Sequence, residues 1–199
     1  MVDHEGQLID GDQLLYILAV GRQRDGLLKG PVVGTVMSNL GLERKLQSLG
    51  IDFMRSKVGD RYVLEMLRKH GGILGGESSG HILCLDKTTT GDGVISALEV
   101  LAEVKRTGRT LAELAAEMPR YPQRLINVTV SQKIDLENHA GIQSARKRAE
   151  DGLGDRGRIV LRASGTEPLI RVMVEGEQEA EVEQVARDLA QQVVDLAGS

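Results

Sequence analysis

The residues best suited to chemistry form a short segment near the C-terminus. Residues 162–168 read Arg-Ala-Ser-Gly-Thr-Glu-Pro, and a further arginine follows at position 171. A phosphate group is bound well by guanidinium groups, hydroxyl donors and backbone N–H groups that converge on one point, and a glycine lets the backbone approach closely. The pattern indicates either a phosphate-binding loop or a polar hairpin turn with solvated arginines. The candidate ligands for phosphate are Arg162, Ser164, Gly165, Thr166 and Arg171.

A second segment offers groups that suit a sugar. Residues 75–81 read Gly-Gly-Glu-Ser-Ser-Gly-His between two short apolar runs. The carboxylate of Glu77 can accept hydrogen bonds from vicinal hydroxyls, and Ser79 can donate or accept. His81 can move a proton or donate to a phosphate oxygen. The alternative interpretation is a glycine-rich turn whose histidine is simply solvated.

Two further segments carry charge beside the start of a helix. Residues 57–61 read Lys-Val-Gly-Asp-Arg, and Lys57 and Arg61 beside a helix N-terminus suit an anion, although Asp60 also suits the role of a helix N-cap. Residues 85–93 read Leu-Asp-Lys-Thr-Thr-Thr-Gly-Asp-Gly. We expect this loop beside the same cleft, with Asp92 serving as a cap rather than as a catalyst.

Alternating strand and helix patterns predict an α/β domain that positions these segments. Gly-Asp pairs precede three apolar helical runs, and Asp is a strong N-cap because its carboxylate accepts orphan N–H groups; the predicted caps are Asp12, Asp60 and Asp92. Short Val- and Ile-rich runs between the helices predict a mixed sheet. We expect this α/β domain to span residues 11–118.

Two prolines at positions 119 and 122 predict a linker and hinge over residues 119–123. Beyond it, residues 124–199 are expected to form a small α+β domain with an antiparallel sheet and helices on one face. The predicted elements include a strand over 124–131, a helix over 136–150 and a C-terminal helix with a one-sided apolar stripe. The first ten residues read like the tail of a preceding, truncated domain.

Composition excludes several classes of function. The net charge is −4 and aromatic residues make up 2% of the chain, which argues against binding of nucleic acid. The only cysteine, Cys84, cannot form an intramolecular disulfide, and the four histidines lack metal-ligand spacing. No apolar run approaches the ~18 residues of a membrane span. We therefore expect a cytoplasmic protein with no metal site of its own and no membrane partner.

Together the motifs resemble the α-D-phosphohexomutase superfamily. The matching stretches are residues 162–168 with the trailing Ile-Arg-Val-Met-Val-Glu, Gly-Glu-x-Ser-Gly-His, Lys-Val-Gly-Asp-Arg-Tyr-Val, Met-Ser-Asn-x-Gly-Leu and Asp-Lys-Thr-Thr-Thr-Gly-Asp-Gly. The last three are similar to the phosphoglucosamine mutase branch. The resemblance covers essentially the whole chain and corresponds to domains three and four of a four-domain enzyme.

The resemblance implies a role for each matching residue. Arg162, Ser164, Gly165, Thr166 and Arg171 match the loop that holds the non-transferring phosphate. Glu77 and Ser79 match the loop that contacts the sugar hydroxyls, and His81 is implied to support the reaction near the phosphoryl group. Lys57 and Arg61 match a second loop that faces the cleft.

The resemblance also implies what lies outside this sequence. The family's phosphoserine loop and its Asp-Gly-Asp-Gly-Asp-Arg magnesium loop do not occur here, so no catalytic residue or Mg²⁺ ligand is expected in the chain, and the chain alone is expected to be inactive. The implied reaction of the intact enzyme interconverts glucosamine 6-phosphate and glucosamine 1-phosphate through a bisphosphate, on the bacterial route to cell-wall amino sugars. The alternatives are a phosphomannomutase or phosphoglucomutase, and a non-catalytic module that binds sugar phosphates.

Overall fold

The chain separates into two compact units, Met1–Arg120 and Tyr121–Ser199. The structure, a computed structural model, describes residues 1–130, 134–164 and 167–197. Each unit has its own hydrophobic core. They are therefore described one at a time.

The first unit alternates helices and strands, as the sequence predicts. Its opening residues pair locally, since Val2 bridges Leu8 and Ile9 packs into the core of this unit. The elements that follow are α1 (Gly11–Arg24), β1 (Val32–Thr35), α2 (Leu40–Ser48), β2 (Phe53–Ser56), α3 (Asp60–His70), β3 (Leu74–Gly76), β4 (Ile82–Cys84), α4 (Gly93–Thr107) and α5 (Leu111–Ala115).

The sheet of this unit has the strand order β2-β1-β3-β4. Strand β1 is parallel to β2 and β3, whereas β4 is antiparallel to β3. Side chains alternate between the two faces: Val32 packs with α1, α2 and α4, while Val33 packs against α3. The result is a three-layer α/β/α unit with a mixed sheet, which confirms the predicted fold class.

The predicted helix caps are only partly right. Asp92 does cap α4, accepting the N–H groups of Val94 and Ile95 at 2.9 Å. The prediction for Asp12 is wrong, because Asp10 is the N-cap of α1 and forms a capping box with Gln13. The prediction for Asp60 is also wrong. That residue is the first of α3, and the cap position belongs to Gly59, which has no capping side chain.

The second unit is built around an antiparallel sheet. Its elements are β5 (Gln123–Thr129), α6 (Ala140–Leu153), a 3₁₀ turn (Gly154–Arg156), β6 (Gly157–Ala163), β7 (Leu169–Gly176) and α7 (Glu179–Ala197). The strand order is β5-β7-β6, and both pairs are antiparallel. The helices α6 and α7 pack on one face of this sheet, as predicted for an α+β domain.

One predicted helix begins later than expected. The apolar pattern places its start near Leu136, but α6 begins at Ala140 because the His139 side chain caps it by accepting the N–H of Ile142 at 3.3 Å. The preceding residues form a turn in which Asp135 accepts the N–H groups of Glu137 and Asn138. The predicted end of the preceding strand, at residue 131, lies outside the described residues.

The long apolar stripe of α7 is buried against the sheet of this unit. Val182, Ala186, Leu189 and Val193 line this stripe and are 0–2% exposed. Across the described ranges, no helix combines the length and the low charge that a bilayer crossing needs.

Candidate functional site

Two of the predicted loops emerge at the same edge of the first sheet. Strands β2 and β3 both run parallel to β1, so their carboxyl ends, Ser56 and Gly76, lie at one edge. Residues 57–59 follow β2, and residues 77–81 follow β3. We call the latter the glutamate loop. Ligand sites in α/β sheets commonly lie at this edge, outside the carboxyl ends of the strands.

A hydrogen bond joins these two loops. The backbone N–H of Gly59 donates to Oε1 of Glu77 at 2.9 Å. Gly59 has a φ of +124°, a conformation that side-chain-bearing residues rarely adopt. Oε2 of Glu77 has no protein donor in the described part of the chain, so it remains able to accept a hydrogen bond from a ligand.

Ser79 and His81 form a contact within the glutamate loop. Ser79 Oγ lies 2.9 Å from His81 Nδ1, and both side chains are exposed. Because Nδ1 is engaged by the serine, Nε2 is the ring nitrogen available to a ligand. The turn is closed by the N–H of Gly80 donating to the carbonyl of Glu77 at 2.9 Å.

The start of α1 supports the glutamate loop from below. The N–H of Gly11 donates to the carbonyl of Ser78 at 2.9 Å. A Cβ at position 11 would lie 2.0 Å from the carbonyl oxygen of Glu77, so only glycine allows this approach. The sequence predicts only that Gly11 lies at the start of a helix. It gives no signal for the close contact between Gly11 and the glutamate loop.

Lys57 and Arg61 differ in how free they are to bind an anion. The guanidinium of Arg61 pairs with Glu65 one turn along α3, with Nε 2.9 Å from Oε1. Lys57 lies beside the ring of Tyr62, with Nζ 6.0 Å from the ring centroid. The charge of Arg61 is already paired with a carboxylate, so Lys57 is the more available of the two to bind an anion.

The carboxyl group of Asp12, which the sequence predicts to be a helix N-cap, is buried near this edge of the sheet. Asp12 is 2% exposed, and its Oδ2 accepts the N–H of Asn39 at 2.8 Å. Burial raises the pKa of Asp12 to about 6. Asn39 ends the loop after β1, which runs between β2 and β3, so Asp12 anchors that loop to the start of α1.

Arg55 holds the same loop from the other side. Its Nη1 donates to the carbonyls of Thr35 and Ser38 at 2.9 and 2.7 Å. Its Nη2 pairs with Glu43 at 2.7 Å. These contacts tie residues 35–38 to β2, which carries Arg55, and to α2, which carries Glu43.

The other candidate cluster lies in the second unit, where β6 turns into β7. Arg162 and Arg171 face each other across these two strands. Nε of Arg162 is buried with no hydrogen-bond partner. The pKa of Arg162 is lowered, mainly by burial and further by the charge of Arg171. Cations placed side by side in this way favour an anion as their ligand.

The turn that follows is stabilised by its own hydrogen bonds. Ser164 is 8% exposed, and its Oγ accepts the N–H of Glu167 at 3.3 Å. Its backbone N–H donates to the carbonyl of Leu169 at 2.8 Å. Gly165 and Thr166, both predicted phosphate ligands, lie outside the described residues.

The loop over residues 85–93 serves mainly structural roles. Asp86 accepts a hydrogen bond from Nη2 of Arg22 at 3.1 Å, and Asp92 caps α4. Among the residues that the structure describes, no three His, Cys, Asp or Glu side chains converge in a way that could hold a metal ion. The described residues therefore do not fit a magnesium centre.

Two protein-family descriptions match the chain. Residues 10–121 match "Phosphoglucomutase/phosphomannomutase, alpha/beta/alpha domain III". Residues 125–192 match "Phosphoglucomutase/phosphomannomutase, C-terminal domain". These matches confirm the resemblance drawn from the sequence motifs.

Individual relatives agree with this assignment. The phosphoglucosamine mutase of Methylococcus capsulatus is 56% identical over 190 residues, covering 96% of this chain and 42% of that protein. That of Alkalilimnicola ehrlichii is 58% identical over the same length and coverage. The crystal structure of Aspergillus fumigatus N-acetylphosphoglucosamine mutase with GlcNAc-6P and magnesium shares the fold, with a TM-score of 0.80, 22% identity, and coverage of 99% of this chain and 46% of that one.

The chain spans about two-fifths of the length of the curated relatives it matches. Within that length, the mixed three-layer unit and the antiparallel unit occur in the same order as the two matched family domains. The chain belongs to the phosphoglucomutase/phosphomannomutase family, of which it comprises domain III and the C-terminal domain.

Proposed function

We propose that this chain supplies the sugar-recognition and phosphate-binding domains of a phosphoglucosamine mutase. The whole protein would interconvert glucosamine 6-phosphate and glucosamine 1-phosphate through a phosphoserine enzyme and a bisphosphate intermediate. Relatives of that name are 56% and 58% identical to the chain over 96% of its length, which supports this substrate.

The observation that carries the proposal is the pairing of Arg162 with Arg171. The structure gives neither guanidinium an acidic partner among the residues it describes, although nearby Arg158 pairs with Glu175 at 2.8 Å. Like charges on adjacent strands destabilise a sheet unless something neutralises them. A phosphate bound over both arginines would do so, and guanidinium forks match phosphate geometry.

Each candidate residue keeps a role in this proposal. Arg162, Ser164, Gly165, Thr166 and Arg171 would bind the phosphate that is not being transferred. Glu77 and Ser79 would bind sugar hydroxyls, Lys57 and Arg61 would attract the phosphate ester, and His81 would support the reaction through Nε2. Residues 119–123 would link the two domains.

The reacting groups would lie in the part of the relatives that this chain does not cover. The phosphoserine and the ligands of Mg²⁺ are proposed to belong there, where the ion would neutralise charge on the transferring phosphoryl group. The residues of this chain would bind and orient the substrate, which accounts for much of the barrier reduction in phosphoryl transfer.

The test compares substrates of the complete protein. Turnover of glucosamine 6-phosphate should exceed that of mannose 6-phosphate and glucose 6-phosphate. Faster turnover of mannose or glucose phosphate would instead support a phosphomannomutase or phosphoglucomutase, which the family description also names. No turnover of any of them by the complete protein would point to a sugar-phosphate-binding module. The 199-residue chain alone should show no turnover.

A further inference from the structure

One row of residues crosses the second sheet at the position of the paired arginines. Arg171 on β7 is in register with Arg162 on β6 and with Asn127 on β5. Their sequence neighbours Leu161, Ile170, Val172, Ile126 and Val128 pack into the core formed with the helices. Because side chains alternate along a strand, the three residues of the row lie on the face away from the helices.

The edge strand β5 adds a second polar group on the same face. Thr129 lies two residues beyond Asn127, in register with Leu169. Both side chains are exposed, and within the described part of the chain neither makes a side-chain hydrogen bond to the protein. The neighbouring row on the other side of Asn127 is apolar. It consists of Leu125, Met173 and Val160, which are in register across the three strands.

The spacing between strands determines which part of a ligand each of these residues can contact. Adjacent strands lie about 4.8 Å apart, which places Asn127 about 10 Å from Arg162 across the sheet. A phosphate shared by Arg162 and Arg171 would be centred about 7 Å from β5, which exceeds the length of the short side chain of Asn127. The ligand atoms near Asn127 would be those attached to the phosphate.

The chemistry of the two groups suits hydroxyls. An amide and a threonine hydroxyl both donate and accept hydrogen bonds, as a sugar hydroxyl does, whereas a phosphate oxygen only accepts. We propose that Asn127 and Thr129 form a hydroxyl-binding subsite on β5, which takes the sugar portion of a sugar phosphate whose phosphate lies over Arg162 and Arg171. This inference rests on the proposed function and extends it to residues outside the sequence motifs.

The test measures binding of two probes by the 199-residue chain, glucosamine 6-phosphate and inorganic phosphate, by NMR titration. The double variant Asn127→Ala/Thr129→Val should bind glucosamine 6-phosphate about tenfold more weakly, as expected for the loss of one or two hydrogen bonds. Its affinity for inorganic phosphate should stay within about twofold of the original. Arg124→Ala is the control, since Arg124 lies on the same strand but pairs with Glu183 of α7 at 3.0 Å. It should change neither affinity.

The outcomes separate the subsite from the proposed function. If phosphate shifts the amides of Arg162 and Arg171 while the double variant binds glucosamine 6-phosphate as well as the original, the subsite is wrong and the phosphate site stands. If neither probe shifts that row, both proposals fail. A folding defect in the variant would not end the test. In the original chain, glucosamine 6-phosphate must shift the amides of Asn127 and Thr129 and inorganic phosphate must not, and any other result overturns the subsite.

Discussion

Oε1 of Glu77 accepts the backbone N–H of Gly59 at 2.9 Å, so a carboxylate after β3 is held by the N-cap residue of α3. The two residues are 18 positions apart in the chain, and each belongs to a different sequence motif. This bond fixes the orientation of the carboxylate and directs one oxygen away from any ligand. The sugar-binding role proposed for Glu77 therefore depends on its second oxygen.

Two substitutions of Glu77 should distinguish its role in substrate binding from its hydrogen bond to Gly59. Glu77→Gln keeps an oxygen that can accept from Gly59 but loses the charge. We expect kcat/KM of the complete enzyme to fall about tenfold to a hundredfold, as for loss of a charge-assisted hydrogen bond, with Tm nearly unchanged. Glu77→Ala should lower both. Glu179→Gln, at the exposed start of α7, is the control and should alter neither. A Glu77→Gln enzyme with full activity would contradict the role.

Arg162 should tolerate no substitution, lysine included. Arg162→Ala should lower kcat/KM of the complete enzyme about tenfold to a hundredfold, since a hydrogen bond to a charged group contributes roughly 1.5–3 kcal/mol. Arg162→Lys should recover little, because an ammonium cannot form the bidentate fork. The exposed Arg187, paired with Glu183 on α7, provides a matched Arg→Ala control. Recovery of most activity by lysine would show that the site needs only a positive charge.

Asp12 should make the stability of the first unit depend on pH. Burial raises its pKa from 3.8 to about 6, with Asp10 adding to the rise and the Asn39 hydrogen bond opposing it. The folded state therefore binds this proton more tightly than the unfolded state, and stability is lost as pH rises from about 4 to 6. At 1.36 kcal/mol per pKa unit, the loss is about 3 kcal/mol.

The Asp12→Asn variant isolates that contribution. An asparagine can still accept the N–H of Asn39 but does not titrate. Denaturant unfolding of both chains from pH 4 to 7 gives the difference in their free energies of unfolding, in which the effects of other groups cancel. That difference should favour the original chain increasingly as pH falls. Parallel curves would mean that the carboxyl titrates normally in the folded state.

The sequence was sufficient to predict the architecture, because strand and helix periods alternate clearly and each apolar face has one place to pack. It also identified Arg162 and Arg171 by residue type as candidate phosphate ligands, and the structure places them in register on paired strands. The helix caps were harder, because an Asp before an apolar run can serve as a cap or form a distant bond. Asp10 followed by Gln13 is a capping-box signal that would have corrected the first of these.

Contacts between segments far apart in sequence could not be predicted in the same way. The bond between Gly59 and Glu77 depends on two strands ending at one edge of the sheet, and the contact of Gly11 with the glutamate loop depends on how α1 crosses it. The position of Asn127 beside Arg171 depends on strand register. Residue spacing within a single motif carries no information about such pairings.

Arg22 should be among the residues most important for stability in the first unit. Its guanidinium is 6% exposed and lies between two carboxylates, with Nη2 3.1 Å from Asp86 and 3.2 Å from Glu99. These bonds tie α1 to the loop after β4 and to α4. Nε of the same residue is buried without a partner, so part of the desolvation cost of this cation is not offset.

Two substitutions in this cluster should therefore lower the free energy of unfolding by different amounts. Arg22→Met keeps an apolar stem and removes the buried charge, and since both carboxylates remain 26% exposed to water, we expect a loss of about 2 kcal/mol. Asp86→Asn leaves Arg22 its bond to Glu99 and should cost less, about 1 kcal/mol. Urea unfolding of the two single variants and the double variant gives their coupling energy. Because Arg22 is buried while Asp86 is 26% exposed, the coupling energy should exceed that of a fully exposed ion pair. Strictly additive effects would show that Asp86 interacts with water and not with Arg22.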